Sequence, residues 1–238
     1  RERNMTFQSD TAQDPIGDVK ERVLEAALPN VAFDGWTDRV LAEAVEDANV
    51  EPALARMAFP RGGVDLALSF HHMMDRALAR KMEETDLSEL RYSDRVARAI
   101  EMRLELIAPH RDAVRRAAAL LALPVYAPDG ARAIWQTADT IWTGLGDSSD
   151  DVNWYTKRAT LSGVYSACVL YWLGDESPDM EATRAFIDRR IADVMQFEKV
   201  KAGFRKSPLG RAFEAGPGRV LSQIRKPGPP PDDLPGSG

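Results

Sequence analysis

The chain has 238 residues, of which 44% are hydrophobic and 29% charged, and its formal net charge is −6 at pH 7. This composition is typical of a globular protein and excludes a fibrous one, and the length allows one domain or two small ones. No run approaches the roughly 18 apolar residues of a membrane-spanning helix, so we expect no membrane span.

The N-terminal residues and the single cysteine limit the cellular setting. Residues 1–17 are polar and aperiodic, so we predict a disordered tail, and they contain no apolar stretch like that of a secretory signal. Cys168 has no second cysteine to pair with, which excludes an internal disulfide and most cysteine-based metal sites. We expect a small buried hydrophobic residue, in a protein of a reducing compartment.

Four helices are predicted in a head of residues 18–84. The first is disturbed or ended by Pro29 and by the pair Asp34 and Gly35, and Thr37 caps the second. The four helices cover residues 18–33, 37–48, 51–58 and 64–82. A long helix, two short ones across a tight turn and a long connecting helix are typical of a helix-turn-helix module.

The charge of this head argues against specific DNA binding. A protein that reads DNA needs positive charge where the phosphates approach, yet residues 37–65 hold six acidic residues and three basic ones. Glu51 begins the helix that would enter the groove, where it would face the phosphate backbone. Arg56 and Arg61 are the main residues that would favour DNA binding.

Five further helices are predicted in a larger domain of residues 85–202. The first ends at Pro109 and the second at Pro124, the third begins at residues 128–130, and the fifth follows residues 177–179. Apolar residues recur at helical spacing in each helix, and no segment shows a strand pattern or an internal repeat. The sequence therefore predicts an all-α fold of about nine helices.

A basic segment follows at residues 203–226, and residues 227–238 form a flexible terminus. From Lys199 to Lys226, eight basic residues accompany Glu214 as the one acid, so the segment carries +7 and the rest of the chain −13. Such a segment favours an anionic partner, nucleic acid or lipid headgroups. An amphipathic membrane-binding segment and a solvated, partly disordered tail both remain open. The candidate membrane-binding residues are Phe204, Arg205, Lys206, Leu209, Arg211 and Phe213.

Catalytic and metal-binding motifs are absent from the sequence. His71 and His72 are adjacent on a helix and point apart, and none of the three histidines follows a glutamate by three positions, as in helical di-iron sites. There is no glycine-rich phosphate loop and no nucleophile motif. We therefore expect a non-enzymatic protein without a cofactor or a bound metal ion.

A helical pocket is the binding site that the apolar stripes allow. Trp135 and Trp142 are seven residues apart and share one face of their helix, and neighbouring helices supply further apolar walls. Such stripes are more often solid core than ligand site, and that alternative remains open. The candidate lining residues are Leu104, Ile107, Ile134, Trp135, Ala138, Leu161, Val164, Tyr165 and Cys168.

An aromatic pair stands in the first turn of the helix predicted within residues 146–174. Asp150 and Asp151 suit the start of that helix, because carboxylates accept hydrogen bonds from its free N–H groups. Trp154 and Tyr155 follow, and neighbours on a helix point about 100° apart. We therefore expect at least one of the two rings to face a groove, a ligand or a partner.

Residues 146–158, GDSSDDVNWYTKR, and the Ser-Pro-Asp turn at residues 177–179 resemble the ubiquinone-biosynthesis accessory family of lipid-binding proteins, the Coq nine proteins. The similarity extends from about Arg22 to Ala202 and includes AFPRGG and LRYSDRVARAIEMRLE. It implies a tetracycline-repressor-like fold that forms homodimers, lacks evident DNA binding and holds an isoprenoid or phospholipid in its helical pocket. It also implies assistance to the di-iron hydroxylase that acts late in coenzyme Q synthesis.

The resemblance also assigns partner-binding residues. Trp154 and Tyr155 match the family's aromatic pair on the surface that meets the hydroxylase, with Asp151 beside them. Ile141 and Trp142 fall near the same patch, although better-known members have a different apolar residue at position 141. The family ends in an amphipathic membrane-binding helix, which the basic C-terminal segment resembles in its chemistry.

The function expected from the residues and the resemblance together is non-enzymatic. The protein would bind a hydrophobic quinone precursor and present it to the hydroxylase, from a cytoplasmic position peripherally associated with the inner membrane. A ligand-responsive transcriptional repressor of the same fold is the alternative, and an enzyme without recognisable motifs is a third possibility.

Overall fold

The computed structural model of the chain describes residues 14–149 and 152–206, with side chains for residues 14–149 and 153–196. These residues hold nine α-helices, two short 3-10 helices and no strand, which confirms the predicted all-α fold. The α-helices are α1 Pro15–Asp34, α2 Asp38–Asp47, α3 Pro52–Ala58, α4 Gly63–Glu83, α5 Tyr92–Ile107, α6 Arg111–Leu121, α7 Ala127–Gly144, α8 Val152–Gly174 and α9 Glu181–Lys206.

The chain divides into two compact units. The first takes in the described residues up to Met73 together with Asp112–Leu123, and the second takes in Met74–Arg111 together with the described residues from Pro124 onwards. The first unit thus contains α1, α2, α3, the beginning of α4 and most of α6. The head of residues 18–84 and the domain of residues 85–202 remain predictions.

Local signals explain where α1 begins and ends. The Asp14 carboxylate caps its start by accepting a hydrogen bond from the Gly17 N–H at 3.0 Å. Gly35, with φ of 77°, ends it in the left-handed region. Pro29 lies inside the helix without ending it, contrary to one expectation, because it sits on the exposed face, where the carbonyl it leaves unpaired can bind water.

The helix-turn-helix elements of the first unit are fixed by side-chain caps. Thr37 caps α2 as predicted, because its hydroxyl accepts a hydrogen bond from the Val40 N–H at 3.2 Å. The Glu51 carboxylate accepts hydrogen bonds from the Ala53 and Leu54 N–H groups and so caps α3. The acid that would face a DNA backbone therefore has a structural role.

The second unit is built around α5, α7, α8 and α9. α8 packs against both α7 and α9, and α5 packs against α9. The core of this unit contains a buried ion pair, because Arg103 Nε donates to Asp75 Oδ1 at 2.8 Å and the Thr137 hydroxyl donates to the same oxygen at 2.9 Å. Both charged side chains are less than a tenth exposed.

The connection between α8 and α9 follows the predicted Ser-Pro-Asp turn. A 3-10 helix, Pro178–Met180, separates α8 from α9 there, and Asp179 adopts φ of 49°. The Asp175 carboxylate accepts a hydrogen bond from the Thr183 N–H at 2.9 Å, which ties the turn to the start of α9. α9 then runs to Lys206, past residue 203, the predicted start of the membrane-binding segment.

Candidate functional site

A compact charge cluster ties the loop after α7 to the first turns of α8. The Asp147 carboxylate accepts hydrogen bonds from Lys157 Nζ at 2.7 Å, from the Ser149 hydroxyl at 2.8 Å and from Arg158 Nη1 at 3.0 Å. Arg158 Nε donates to Asp139 Oδ1 on α7. Two cations and two carboxylates thus meet at one point, and we call these four residues, Asp139, Asp147, Lys157 and Arg158, the charge cluster.

The carboxylate of Asp147 is held in its charged form. Burial by itself would raise its pKa, but hydrogen bonds from Lys157, Ser149 and Arg158 outweigh that effect and keep the pKa well below its usual range. The Asp147 side chain is 2% exposed and that of Arg158 is 3% exposed. The centre of the cluster is therefore a fixed element of the structure.

Three aromatic rings from α7 and α8 lie next to this cluster. Trp154 and Tyr155 meet edge to face with ring centroids 4.9 Å apart, and Trp135 lies 5.9 Å from Trp154 and 6.4 Å from Tyr155. All three residues are partly exposed. We call these three residues the aromatic patch. Both rings of the sequence-adjacent pair belong to it, and the guanidinium carbon of Arg158 lies 4.1 Å from the Trp154 ring.

The other predicted partner-binding residues lie elsewhere. Ile141 is fully buried and Trp142 is 8% exposed, so neither offers a surface to a partner in this structure. Asp151 lies outside the described residues. Only Trp154 and Tyr155 of the five predicted residues are seen at the surface.

A cavity of about 230 Å³ opens beside the buried Trp142, between α5, α8 and α9. The ring of Trp142 stacks on Tyr92 at 5.9 Å, and Lys157 Nζ lies 5.6 Å from the centroid of the Trp142 ring. Its indole N–H has no acceptor among the described residues. A buried donor without an acceptor lowers the free energy of unfolding by about 1–3 kcal/mol. The lining residues are Tyr92, Ser93, Val96, Trp142, Asn153, Thr156, Lys157, Thr160, Leu161, Val164, Ile191, Val194 and Met195.

Two of the nine predicted pocket residues, Leu161 and Val164, line this cavity. Trp135 belongs to the aromatic patch, and Ile134 is partly buried on α7. The remaining five are buried core residues outside the lining of this cavity: Leu104, Ile107, Ala138, Tyr165 and Cys168. Cys168 is buried as expected, and burial raises the pKa of its thiol to about 12.

Several residues that line the cavity were not predicted as site residues from the sequence. Tyr92 and Lys157 are the most informative, because one stacks on Trp142 and the other brings a charge to the wall. Lys157 lies within the motif at residues 146–158 that carried the family resemblance. Its place in that motif was the signal in the sequence that could have identified it as a site residue. Ile191 and Val194 belong to the apolar stripe of α9 and gave no sign of a cavity.

A second, more open groove of about 880 Å³ runs between α5 and α9. Its wall includes Arg98, which is ion-paired with Glu101 at 3.1 Å and with Glu105 at 2.6 Å. Burial by itself would raise the pKa of Glu105, but Arg98 and Lys81 keep it lowered. These ion pairs connect successive turns of α5 along one wall of the groove.

The predicted membrane-binding residues lie at or beyond the end of the described side chains. Phe204, Arg205 and Lys206 lie in the last turns of α9, and Leu209, Arg211 and Phe213 lie outside the described residues. Among the helices that the structure describes, none combines the length and apolarity needed to cross a bilayer. Residues 14–149 and 152–206 contain no group of three His, Cys, Asp or Glu side chains suited to a metal ion.

The sequence is related to known proteins over most of its length. Residues 127–198 match the COQ9 family. The chain is 35% identical over 184 residues to the ubiquinone biosynthesis protein COQ9, mitochondrial, of Rattus norvegicus, an alignment that covers 74% of this chain and 59% of the rat protein. The Homo sapiens protein of the same name is 34% identical, with 74% and 58% covered. The chain thus spans about three fifths of the length of these curated relatives.

The fold has a counterpart among solved structures. The crystal structure of the TetR transcriptional regulator from Nitrosomonas europaea superposes with a TM-score of 0.60 at 18% sequence identity, covering 74% of this chain and 97% of the regulator. This similarity confirms the tetracycline-repressor-like fold implied by the sequence. The match at residues 127–198, which contains the aromatic patch and all of α8, and the curated COQ9 relatives confirm the resemblance stated from the sequence, which is to the COQ9 family.

Proposed function

We propose that this chain is a non-enzymatic accessory protein of ubiquinone biosynthesis. It binds a hydrophobic quinone precursor, or another isoprenoid or phospholipid, and presents it to the di-iron hydroxylase of the pathway at a membrane surface. The observation that supports this proposal most directly is the cavity between α5, α8 and α9, whose wall shares the first turns of α8 with the aromatic patch.

The lining of the cavity suits an apolar chain. Val96, Leu161, Val164 and Ile191 supply an aliphatic wall from three different helices. A polyprenyl intermediate is buried in a bilayer, and an apolar wall offers it an alternative to water during transfer. The volume of about 230 Å³ is below the roughly 300–1,000 Å³ of sites for drug-sized ligands, so the cavity accommodates part of such a molecule.

The aromatic patch suits a protein partner. Large aromatic side chains are frequent anchors of protein interfaces, and Trp154 and Tyr155 are partly exposed side by side. Because Arg158 contacts the face of Trp154 and is itself ion-paired, that ring is held in place before a partner arrives. We assign this surface to the hydroxylase.

Attachment to the membrane is assigned to the basic C-terminal segment. Residues 199–226 carry a net charge of +7, and each basic residue near an anionic bilayer contributes roughly 1 kcal/mol of attraction. The candidate contacts are those predicted from the sequence, from Phe204 to Phe213. In this proposal the protein is a homodimer that associates peripherally with the inner membrane from the cytoplasm.

The decisive experiment removes the two partly exposed rings of Trp154 and Tyr155. The double variant Trp154→Ala, Tyr155→Ala is expected to weaken binding of the hydroxylase at least tenfold, because a central aromatic anchor is worth about 2 kcal/mol or more. Tyr171→Ala is the matched control, since Tyr171 is an exposed aromatic residue near the other end of α8, stacked on Phe186. Affinity measured by surface plasmon resonance should fall only for the double variant, with helix content retained by circular dichroism. Equal affinity of the double variant and the wild type would refute the assignment.

A further inference from the structure

The cavity between α5, α8 and α9 has a polar end and an apolar end. Along α8 its lining changes from Asn153, Thr156 and Lys157 to Leu161 and Val164. The same order appears on α5, where Tyr92 and Ser93 precede Val96. The two polar ends coincide, because Tyr92 stacks on the ring of Trp142 and Lys157 Nζ lies 5.6 Å from the same ring.

Lys157 is the cation at the polar end, and part of its hydrogen-bonding capacity is uncommitted. An ammonium group has three N–H donors. Two of them are directed to Asp147 Oδ1 at 2.7 Å and to the Ser149 hydroxyl at 2.8 Å. One donor remains for an acceptor in the cavity, and the side chain is 36% exposed, so the group is accessible. The buried indole N–H of Trp142, in the same wall, also lacks an acceptor among the described residues.

The charges at this end are already matched. Lys157 and Arg158 share the carboxylate of Asp147, and Arg158 also pairs with Asp139, so the charge cluster is neutral as a whole. A phosphate headgroup would bring a negative charge without a free cation in the cluster to balance it. A neutral group that carries oxygen acceptors adds no charge and can still accept the remaining N–H.

We infer that Lys157 is the head-group residue of the cavity and sets the orientation of its ligand. A neutral, oxygen-bearing head lies against Lys157 and Trp142, and the apolar chain runs along Leu161 and Val164 towards α9. This inference rests on the proposed function and deepens it, because it places the head of the ligand at the end of α8 that carries the aromatic patch. The limited volume of the cavity means that the chain extends beyond it.

Two probes that differ only in their heads test this assignment. Decylubiquinone has a ring with neutral oxygen acceptors and a ten-carbon chain, and decylbenzene has the same chain on a ring without oxygen. Both are delivered from the same mild detergent, and affinities are measured by isothermal titration calorimetry. Wild-type protein should bind decylubiquinone more tightly than decylbenzene, and more tightly than decyl phosphate, which has an anionic head.

The variant Lys157→Met keeps most of the length of the side chain and removes its donors. Its affinity for decylubiquinone should fall about tenfold, as expected for loss of one hydrogen bond to a charged group, while its affinity for decylbenzene should stay equal or rise. Lys157→Arg, which retains positive charge and donors, should keep the preference for decylubiquinone. Lys81→Met is the matched control, because Lys81 is ion-paired with Glu105 at 2.6 Å and does not line the cavity.

The possible failures are distinct. An unchanged decylubiquinone affinity in Lys157→Met, or an equal loss for both ring probes, would overturn the role of Lys157 while leaving a lipid cavity in place. Tighter binding of decyl phosphate than of decylubiquinone would overturn the neutral head. No binding of any probe to the wild type would overturn the lipid-binding function itself. Should Lys157→Met fail to fold, Lys157→Arg and Lys157→Ala decide, because loss of the head preference in Ala but not in Arg supports the assignment and any other pattern opposes it.

Discussion

The guanidinium carbon of Arg158 lies 4.1 Å from the centroid of the Trp154 ring, while its nitrogens pair with Asp139 and Asp147. A side chain of α8 that is almost completely buried thus supports a partly exposed ring one turn earlier on the same helix. The ion pairs fix the guanidinium, and the guanidinium fixes the ring. The orientation of Trp154 is therefore set by charges beneath the surface.

We predict that Arg158→Met destabilises the chain by about 3 kcal/mol, because it leaves the buried Asp147 carboxylate with fewer donors. The same change should weaken the near-ultraviolet circular dichroism of the aromatic patch. Urea unfolding and near-ultraviolet spectra measure the two effects. Arg98→Met is the control, since Arg98 has ion pairs but is 34% exposed, and it should cost about 1 kcal/mol. Equal effects of the two variants would contradict this role of Arg158.

The buried pair of Arg103 and Asp75 gives a second prediction. Asp75→Ala leaves a charged guanidinium that is 2% exposed without its carboxylate, and the loss of stability should be about 3–5 kcal/mol. Asp112→Ala removes the carboxylate of an exposed pair with Arg115 and should cost no more than about 1 kcal/mol. Chemical denaturation of both variants measures the difference. A loss below about 1 kcal/mol for Asp75→Ala would show that the core tolerates the unpaired charge.

Acid should weaken the charge cluster in a defined direction. The pKa of Asp147 is lower in the folded chain than its ordinary value of 3.8, so folding favours the ionised carboxylate. Its stabilising contribution is complete above that ordinary value and is lost as the pH falls through the folded-state pKa. Asp147→Asn removes this contribution, so its unfolding free energy should change less than that of the wild type between about pH 5 and pH 2.5.

Urea unfolding at several pH values measures that dependence. Asp112→Asn is the control, because it alters an exposed ion pair in a different part of the chain and should keep the wild-type pH profile. If Asp147→Asn lost stability on acidification as steeply as the wild type, the carboxylate of Asp147 would not be a source of the acid sensitivity.

The head is expected not to recognise a specific DNA sequence. Arg39 is ion-paired with Asp34 and Glu43, Arg61 is paired with Asp65, and Glu51 caps α3. The exposed surface of α3 includes the apolar residues Leu54 and Met57. An electrophoretic shift assay with DNA from upstream of the gene should show no specific band, next to a TetR regulator on its own operator as the positive control. A shift that competitor DNA of unrelated sequence fails to remove would favour the repressor alternative.

The helices could be predicted from the sequence because their signals are local. Thr37 and the Ser-Pro-Asp turn are read from a few neighbouring residues, and the structure places both as expected. Pro29 shows the limit of such rules, since the core contacts of Val23, Ala27 and Val31 hold α1 together across it. The local cost of one proline is outweighed by tertiary packing.

The composition of the site was harder to predict, because periodicity shows which residues share a face but not what that face meets. Trp135 and Trp142 share one face of α7, yet the first joins the aromatic patch and the second lies in the wall of the cavity. Lys157 is charged, so a search for apolar stripes does not select it as a lining residue. It reaches the cavity through its long side chain, and its ammonium group is hydrogen-bonded to Asp147. The packing of α7 against α8, and of α5 and α9 around the cavity, decides these positions.

The single carboxylate of Asp147 pairs with two cations that are adjacent in sequence. Lys157 lies in the cavity wall, and Arg158 lies behind the aromatic patch. Whatever draws Lys157 towards a ligand changes the hydrogen bonding of the same group that holds Arg158. In the proposed function, filling the cavity and occupying the aromatic patch would therefore be thermodynamically linked, and by reciprocity each event would change the affinity of the other by the same factor. The proposed carrier would then distinguish its loaded from its empty state through the single carboxylate of Asp147, without moving a domain.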